Sequence, residues 1–307
     1  MQENNRRNPF LFAPVLLFPI LLLLGIASFI FSEPLAKNIG TVSAILIFLF
    51  VFGLPTVLFF CLRGGKWLSS QLLPVSPRSF LYSIGAAALL IMQNIIFHSL
   101  AIEKFFDYRI YTVYGLSFEP AMHSFGGVLL SFCAFALVPA LLEGILFRGI
   151  LMYEYRFGGV LFSVLFSSLL CAMTGMSFKL FPLYFLNGIV LCMTVFVTGN
   201  LFCSVFAHIT ALTFSLFEEK YFMFLAEERE TKLFMIFILL GVWLPVAVFF
   251  SDNTEKILRK RGKREDKKPI CIPKGMGKSV FFDIVSAPML WADMLCFSAF
   301  SVLHLFF

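Results

Sequence analysis

Long apolar runs recur along the whole chain and are separated by shorter polar or charged segments. Each run approaches about 20 residues, the length at which an α-helix crosses a bilayer, whereas a membrane barrel would show alternating segments of about ten. The runs lie at about 9–31, 41–62, 79–100, 124–152, 157–176, 180–197, 201–217 and 233–250. The pattern therefore predicts an all-α fold, a polytopic transmembrane helical bundle of about eight spans.

The segments between and after the runs divide the chain into five regions. These are N-terminal helices and loops (1–123), a central core (124–217), an acidic loop with the eighth span (218–250), a basic cytoplasmic linker (251–280) and a C-terminal apolar segment (281–307). Pro288, Asp283 and Asp293 interrupt the last segment. An interfacial or re-entrant helix is the first expectation there and a ninth span the second. The first run is too long for a signal-peptide core, so we expect it to be retained.

The composition supports a membrane protein and excludes an ordinary soluble domain. Apolar residues make up 60% of the chain, charged residues 14%, and the mean hydropathy is +0.91. Soluble proteins have roughly 45–50% apolar and 25% charged residues. The 42 phenylalanines suit helices that face lipid, which makes membrane lipids the first expected partner. The seven cysteines show no paired spacing, and we interpret them as buried apolar residues rather than disulfides or metal ligands.

Basic residues beside the spans predict the orientation of the chain in the membrane. With the N-terminus inside, most of the 24 Lys and Arg residues fall in inner segments, mainly because ten of them lie between Lys256 and Lys278. We therefore expect both termini to be cytoplasmic. A bacterial cell membrane is the expected location, although the charge pattern itself bears only on orientation. The basic tail either binds anionic lipid, at about 1 kcal/mol per residue, or only fixes the topology, and no nucleic-acid partner is expected.

One apolar segment, Leu137 to Tyr153, carries an acid, Glu143, and a base, Arg148. A charge in lipid costs roughly 2.5 kcal/mol or more, so a buried one suggests a function. In an α-helix of about 3.6 residues per turn, residues five apart differ by about 140°, so the two side chains are expected to point differently. Arg148 would then snorkel to the membrane surface while Glu143 stays deeper. Alternatively, Arg148 only anchors the helix at the cytoplasmic side of the membrane. Glu143 would then only bind Arg148 or a backbone donor on a neighbouring helix.

A second polar group, His208, is expected at the same depth as Glu143. In the predicted orientation Glu143 lies ~15 Å and His208 ~12 Å from the inner ends of their helices, at 1.5 Å per residue. Because unpaired charges in lipid are costly, we expect the two to face each other. The alternative is that each is a solitary, tolerated polar residue.

The motifs from Pro139 to Phe217 resemble those of the CPBP family, the CAAX proteases and bacteriocin-processing enzymes also called Abi. The family patterns are EExxxR, then FxxxH, then HxxxN or HxxxD. The first reads Glu143 to Arg148 here, with Gly144 in place of the second Glu. His208 stands at the third His, with Leu212 in place of Asn or Asp.

The second family motif falls in the serine-rich segment 167–175, where its aromatic residue and its histidine are both replaced. Cys171 stands in place of the Phe and Gly175 in place of the His. No other histidine lies between His123 and His208 to substitute for it.

The resemblance implies a helical membrane endopeptidase in which Glu143 activates a water, with Arg148 tuning it and His208 stabilising the oxyanion. The base's partner and one oxyanion donor are missing, and losing one donor typically costs about 100–1000-fold in rate. Nearby polar candidates to fill these roles are Ser168, Thr174, Asn187, Asn200 and Thr210.

The resemblance leaves two functions open. One is an endopeptidase acting on a membrane peptide or protein; the other is a catalytically impaired relative that serves as a scaffold or binding partner of an envelope protein. A transporter is less favoured, because no inverted repeat or pair of broken helices is evident. We expect no cofactor, and a zinc site is disfavoured because one Glu and one His fall short of three protein ligands.

Overall fold

The structure is a computed structural model and describes residues 9–30, 39–63, 75–101, 111–114, 116–226, 229–264 and 276–306. The polar N-terminus, residues 64–74 and the middle of the basic tail, 265–275, lie outside the described residues.

Each predicted apolar run coincides with a helix. The first three helices are α1 (Pro9–Ile30), α2 (the continuous Thr41–Phe48, Leu49–Gly53 and Leu54–Arg63) and α3 (Pro77–Ala101). Helix α4 runs through Phe125–Phe132, Cys133–Leu137, Val138–Glu143, Gly144–Leu151 and Met152–Glu154, and closes with the 3₁₀ turn Tyr155–Gly158. The remaining helices are α5 (Gly159–Met173), α6 (Phe181–Thr198), α7 (Leu201–Ala226), α8 (Arg229–Arg264), α9 (Met276–Val285) and α10 (Pro288–Phe306).

Five helices in the described part of the chain are long and apolar enough to cross a membrane. They are Thr41–Cys61, Pro77–Phe97, Phe125–Glu154, Phe181–Thr198 and Ile236–Lys256. Shorter apolar helices cover Pro14–Ser28, Gly159–Met173, Leu201–Phe217 and Pro288–Leu303. The predicted all-α polytopic bundle is confirmed, while the number of spans stays a prediction.

A small sheet interrupts the helical pattern where only a polar loop was expected. Strands β1 (Ile39–Gly40), β2 (Tyr111–Val113) and β3 (Leu116–Glu119) form a sheet in the order β1-β3-β2. Strands β2 and β3 are antiparallel, with Val113 opposite Leu116, which leaves a two-residue hairpin turn. The prediction of a simple loop between the third and fourth spans was therefore wrong: a β-hairpin lies in it.

The acidic loop predicted after α7 is also largely helical. Helix α7 continues to Ala226, and α8 begins at Arg229 and extends to Arg264, well into the region expected to be a linker. Glu, Lys and Arg are good helix formers, so charge alone does not end a helix. Lys256 donates to Asp252 at 2.6 Å in the i,i+4 relation that supports such an extension.

Helix α10, the last helix in the sequence, packs along α1, the first. A Cβ on Gly25 of α1 would overlap the ring of Phe300, so the two helices approach closely at this point. Phe297 of α10 lies against Phe178 and Phe181, with ring centroids 5.1 and 5.5 Å apart. Whether this helix spans the membrane or lies at its interface stays a prediction.

Helices α5 and α6 form a close helix pair beside the site, and a glycine sets their separation. A Cβ on Gly188 of α6 would lie 2.9 Å from Cβ and 3.0 Å from Cα of Ser168 on α5. Small residues permit such a close approach, and the van der Waals contacts that result stabilise the association of membrane helices.

Gly188→Ala is expected to lower the free energy of unfolding by about 1–3 kcal/mol, because the added methyl group meets backbone as well as side-chain atoms. The matched control is Gly241→Ala in α8, where a Cβ meets nothing within 4 Å. Thermal unfolding in detergent measures both. Equal midpoints for the two variants would contradict the close packing of α5 on α6.

Candidate active site

The site lies where α4 packs against α7. Gly144 makes this approach possible, since a Cβ there would lie only 2.6 Å from Cγ2 of Val205 on α7. Glu143 and His208 come from the facing surfaces of these two helices, and Nδ1 of His208 lies 3.9 Å from Oε2 of Glu143. The expectation that the two residues face each other is confirmed.

Arg148 does not snorkel to the surface, and that prediction was wrong. Its side chain is only 2% exposed, and its Nη2 lies 3.7 Å from Oε2 of Glu143. The reason is local: Gly144–Leu151 is a π-helix, in which hydrogen bonds join residues five apart. Residues five apart then lie one above the other, so Glu143 and Arg148 share a face instead of diverging.

Side chains from α5 bond this π-helical segment and the residue that follows it. Ser167 donates its hydroxyl to the carbonyl oxygen of Phe147 at 2.6 Å, and Ser163 donates to that of Met152 at 3.1 Å. Serine hydroxyls commonly satisfy backbone groups that an irregular membrane helix leaves open. The serine-rich segment that resembles the second family motif thus has a structural role in holding the Glu143–Arg148 segment.

The contact with Arg148 fixes the protonation of His208. Nη1 of Arg148 lies 3.2 Å from Nδ1 of His208, and a guanidinium only donates, so Nδ1 is the acceptor. An imidazole that accepts at Nδ1 is neutral and carries its proton on Nε2. His208 is therefore a neutral side chain with an Nε2–H donor, and its short approach to Glu143 is not a salt bridge. Its side chain is 12% exposed, more than that of Arg148.

A fourth residue, Tyr114, contacts Glu143 and was missed in the sequence. Tyr114 occupies the turn of the β2–β3 hairpin, is 4% exposed and donates its hydroxyl to Oε1 of Glu143. Its ring packs on Phe48 and Phe52 of α2, with centroids 5.4 and 5.1 Å away. The signal that could have found it is the Tyr114-Gly115 pair between two short β-type segments, since two-residue hairpin turns often contain Gly.

The altered family positions are filled by neighbouring side chains. Gly144 faces Val205, and a Cβ on Gly175 would overlap the ring of Tyr184. The space of the second-motif histidine is thus partly taken by a tyrosine from α6.

The other polar candidates make hydrogen bonds elsewhere. Thr174 and Thr210 donate to backbone carbonyls in their own segments, and Asn187 donates to Asn94 at 2.9 Å. Ser168 donates to the sulfur of Cys192, and the side chain of Asn200 accepts from the backbone of Phe202.

Within the residues that the structure describes, no group of three or more His, Cys, Asp and Glu side chains could hold a metal ion. The chemistry that the cluster offers is acid–base and hydrogen bonding. It combines a carboxylate, a guanidinium beside it, a neutral imidazole donor and a phenolic hydroxyl in a site largely shielded from solvent.

Comparison with known proteins identifies the central region. Residues 124–214 match the family model of the Rce1-like Type II CAAX prenyl endopeptidases. No curated protein and no solved structure matches the chain. The match covers the whole of the segment that carries Glu143, Arg148 and His208, and it agrees with the resemblance of the motifs. Residues 124–214 of this helical membrane protein therefore match the Rce1-like Type II CAAX prenyl endopeptidases, a group within the CPBP family.

Proposed function

We propose that this protein is a membrane-embedded endopeptidase in which Glu143 activates a water molecule for peptide-bond hydrolysis. The observation that carries the proposal is a buried cluster of three residues from two helices. It joins Glu143 and Arg148 of α4 to His208 of α7, which lies 60 positions after Arg148 in the sequence. Buried ionisable groups in membrane helices are costly and usually serve a function.

Each member of the cluster has a role in this reaction. Glu143 takes a proton from the water as its oxygen attacks the peptide carbonyl carbon, and the carbonyl oxygen becomes an oxyanion. The Nε2–H of His208 donates to that oxyanion, and Arg148 holds His208 in the required tautomer while compensating the charge of Glu143. Glu143 then returns the proton to the leaving amine as the carbon–nitrogen bond breaks.

The substrate in this proposal is a membrane peptide or protein, because a site within a helical bundle is reached most directly from the bilayer. We further propose that the protein lies in a bacterial cell membrane with both termini cytoplasmic. The basic residues of the tail support that orientation.

A catalytically impaired scaffold or partner of an envelope protein is the second candidate function. It is favoured by one feature: Val205 and Tyr184 occupy the space beside Gly144 and Gly175, where the family's second Glu and second-motif His would begin. A side chain restored at either position would have to displace these neighbours.

Cleavage of a membrane-peptide library separates the two functions. Wild type, Glu143→Ala and Glu154→Ala are purified, reconstituted in liposomes and matched for folded fraction. Glu154 is the control, because it is a second acid on α4 and, like Glu143, is 7% exposed. The endopeptidase predicts defined products from wild type and Glu154→Ala that disappear with Glu143→Ala. Products that persist unchanged in Glu143→Ala, or no products from wild type, would contradict it, and the latter result would favour the scaffold.

A further inference from the structure

The β2–β3 hairpin carries a side chain into the helical bundle from outside the region that matches the family model. The match begins at residue 124, whereas the hairpin ends at Glu119. Tyr114, at the tip of the hairpin, reaches Glu143. Non-helical backbone inside a membrane protein is tolerated where protein surrounds it, and Tyr114 and its neighbours Leu116 and Phe118 are all buried.

The hairpin is held in place at its base as well as at its tip. Strand β3 pairs with β1, the two residues that lead into α2. Thr41, the first residue of α2, donates to the carbonyl oxygen of Glu119 at 3.1 Å and accepts from the backbone N–H of Ala121 at 3.2 Å. The position of the tip is therefore fixed relative to α2, and the hydroxyl of Tyr114 is presented to α4 from that support.

The backbone at the tip is unfavourable for the residue that occupies it. Tyr114 has a φ of 55°, in the left-handed region. Two-residue hairpin turns place Gly, Asn or Asp at such positions, and a bulky residue there is an outlier. Such outliers persist where the surrounding structure over-determines them and cluster at functional sites. The backbone of this turn favours Gly, Asn or Asp over tyrosine. The presence of a tyrosine is therefore explained by what its side chain contacts.

Tyr114 also supplies a hydrogen bond to Glu143, which neither Arg148 nor His208 provides. Nη2 of Arg148 is 3.7 Å from Oε2 of Glu143, which is an ion pair but too long for a hydrogen bond. Nδ1 of His208 accepts from Arg148 and has no proton to give to Glu143. The hydroxyl of Tyr114 is the hydrogen-bond donor to the carboxylate among the described contacts of the site.

We infer that Tyr114 is a positioning residue of this site, which fixes the carboxylate of Glu143 in place of the partner lost at Gly175. The inference rests on the proposed function of Glu143 as the base. When Tyr114 holds Oε1, the orientation of the whole carboxylate is fixed. Its remaining lone pairs can then accept a proton from a water that always approaches from the same direction. Without the hydroxyl, the carboxylate turns about its side-chain bonds, and a misplacement of about 1 Å can cost on the order of 100-fold in rate.

Tyr114→Phe tests the inference, because the ring and its packing on Phe48 and Phe52 are kept while the hydroxyl is removed. Tyr155→Phe is the matched control, a buried tyrosine of α4 whose ring lies against Phe166. On a peptide that wild type cleaves, Tyr114→Phe is expected to lower kcat by about 10- to 100-fold with little change in KM. Tyr155→Phe is expected to leave both unchanged.

A second readout does not depend on proteolysis. A hydrophobic carbodiimide modifies buried carboxyl groups, and mass spectrometry locates the products. Because the Tyr114 hydrogen bond must break before Oε1 can react, Tyr114→Phe is expected to raise labelling of Glu143 several-fold. Labelling of Glu154 in the same molecules is the internal reference, since partial unfolding would raise both.

The outcomes separate this inference from the proposed function. A lower kcat together with selective labelling of Glu143 supports both. Wild-type kcat and unchanged labelling in Tyr114→Phe would overturn the positioning role while leaving Glu143 as the base. If wild type cleaves nothing, the proposed function fails; selective labelling would then still support the positioning contact, and unchanged labelling would overturn it.

Discussion

Arg148→Met is expected to lower the free energy of unfolding by about 3–5 kcal/mol. Arg148 is buried and compensates the charge of Glu143 within the bundle. Removing one partner of a buried pair leaves the other uncompensated, which is far more costly than removing an exposed charge. The substitution also removes the donor to Nδ1 of His208, so the imidazole is free to adopt its other tautomer.

Thermal or denaturant unfolding in detergent measures this effect, with two further variants. Arg156→Met is the control, because Arg156 is exposed on the same helix and stacks on Tyr153. We expect its cost to stay below about 1 kcal/mol. The double variant Glu143→Gln/Arg148→Met is expected to be more stable than Arg148→Met alone, since no uncompensated charge remains. Additive losses would show that the two side chains are not coupled, and would contradict a buried ion pair between them.

His208→Ala is expected to lower the rate of peptide cleavage by about 100- to 1000-fold, the usual loss when one oxyanion donor is removed. His208→Gln is expected to lose less, since a glutamine amide can accept from Arg148 and donate to the oxyanion. The predicted order of rates is wild type, then His208→Gln, then His208→Ala, measured as kcat.

Thr210→Ala is the matched control for His208, because Thr210 lies on the same helix and its hydroxyl bonds its own backbone, to Phe206, at 2.9 Å. It is expected to cleave at the wild-type rate. Equal rates for His208→Ala and Thr210→Ala would show that His208 has no role in the reaction.

The pairing of Glu143 with His208 could be predicted because membrane depth follows from simple geometry. A helix rises by a constant amount per residue, so two polar residues in neighbouring spans can be placed at one depth from the sequence alone. The partner of a buried charge is then expected nearby. The structure adds the contact distances and the close approach at Gly144, which no sequence pattern indicated.

The position of Arg148 could not be predicted, because the geometry that was assumed does not apply to its segment. A period of 3.6 residues places Arg148 away from Glu143, whereas the π-helix places them together. The apolar sequence pattern of this segment does not distinguish an α-helix from a π-helix. The contact that the structure adds is tertiary: the hydroxyl of Ser167 on α5 bonds the carbonyl oxygen of Phe147 within this segment.

Tyr114 was missed for a different reason. A search for membrane spans uses windows of about 20 residues, and strands of three or four residues between two spans do not register in them. The hairpin also depends on pairing with Ile39–Gly40, far away in sequence. The residue that donates a hydrogen bond to Glu143 therefore lay in a region that appeared to be only a connection.

The most direct test of hydrolysis by the buried cluster is the initial rate of cleavage of one membrane peptide by wild type, Glu143→Gln and Glu154→Gln at equal folded fraction. Glutamine keeps the shape of the side chain but cannot accept the proton of the attacking water. A base contributes roughly 100- to 10,000-fold, so Glu143→Gln is predicted to fall by at least about 100-fold while Glu154→Gln keeps the wild-type rate. A Glu143→Gln rate equal to that of wild type would show that the buried cluster is not the site of hydrolysis.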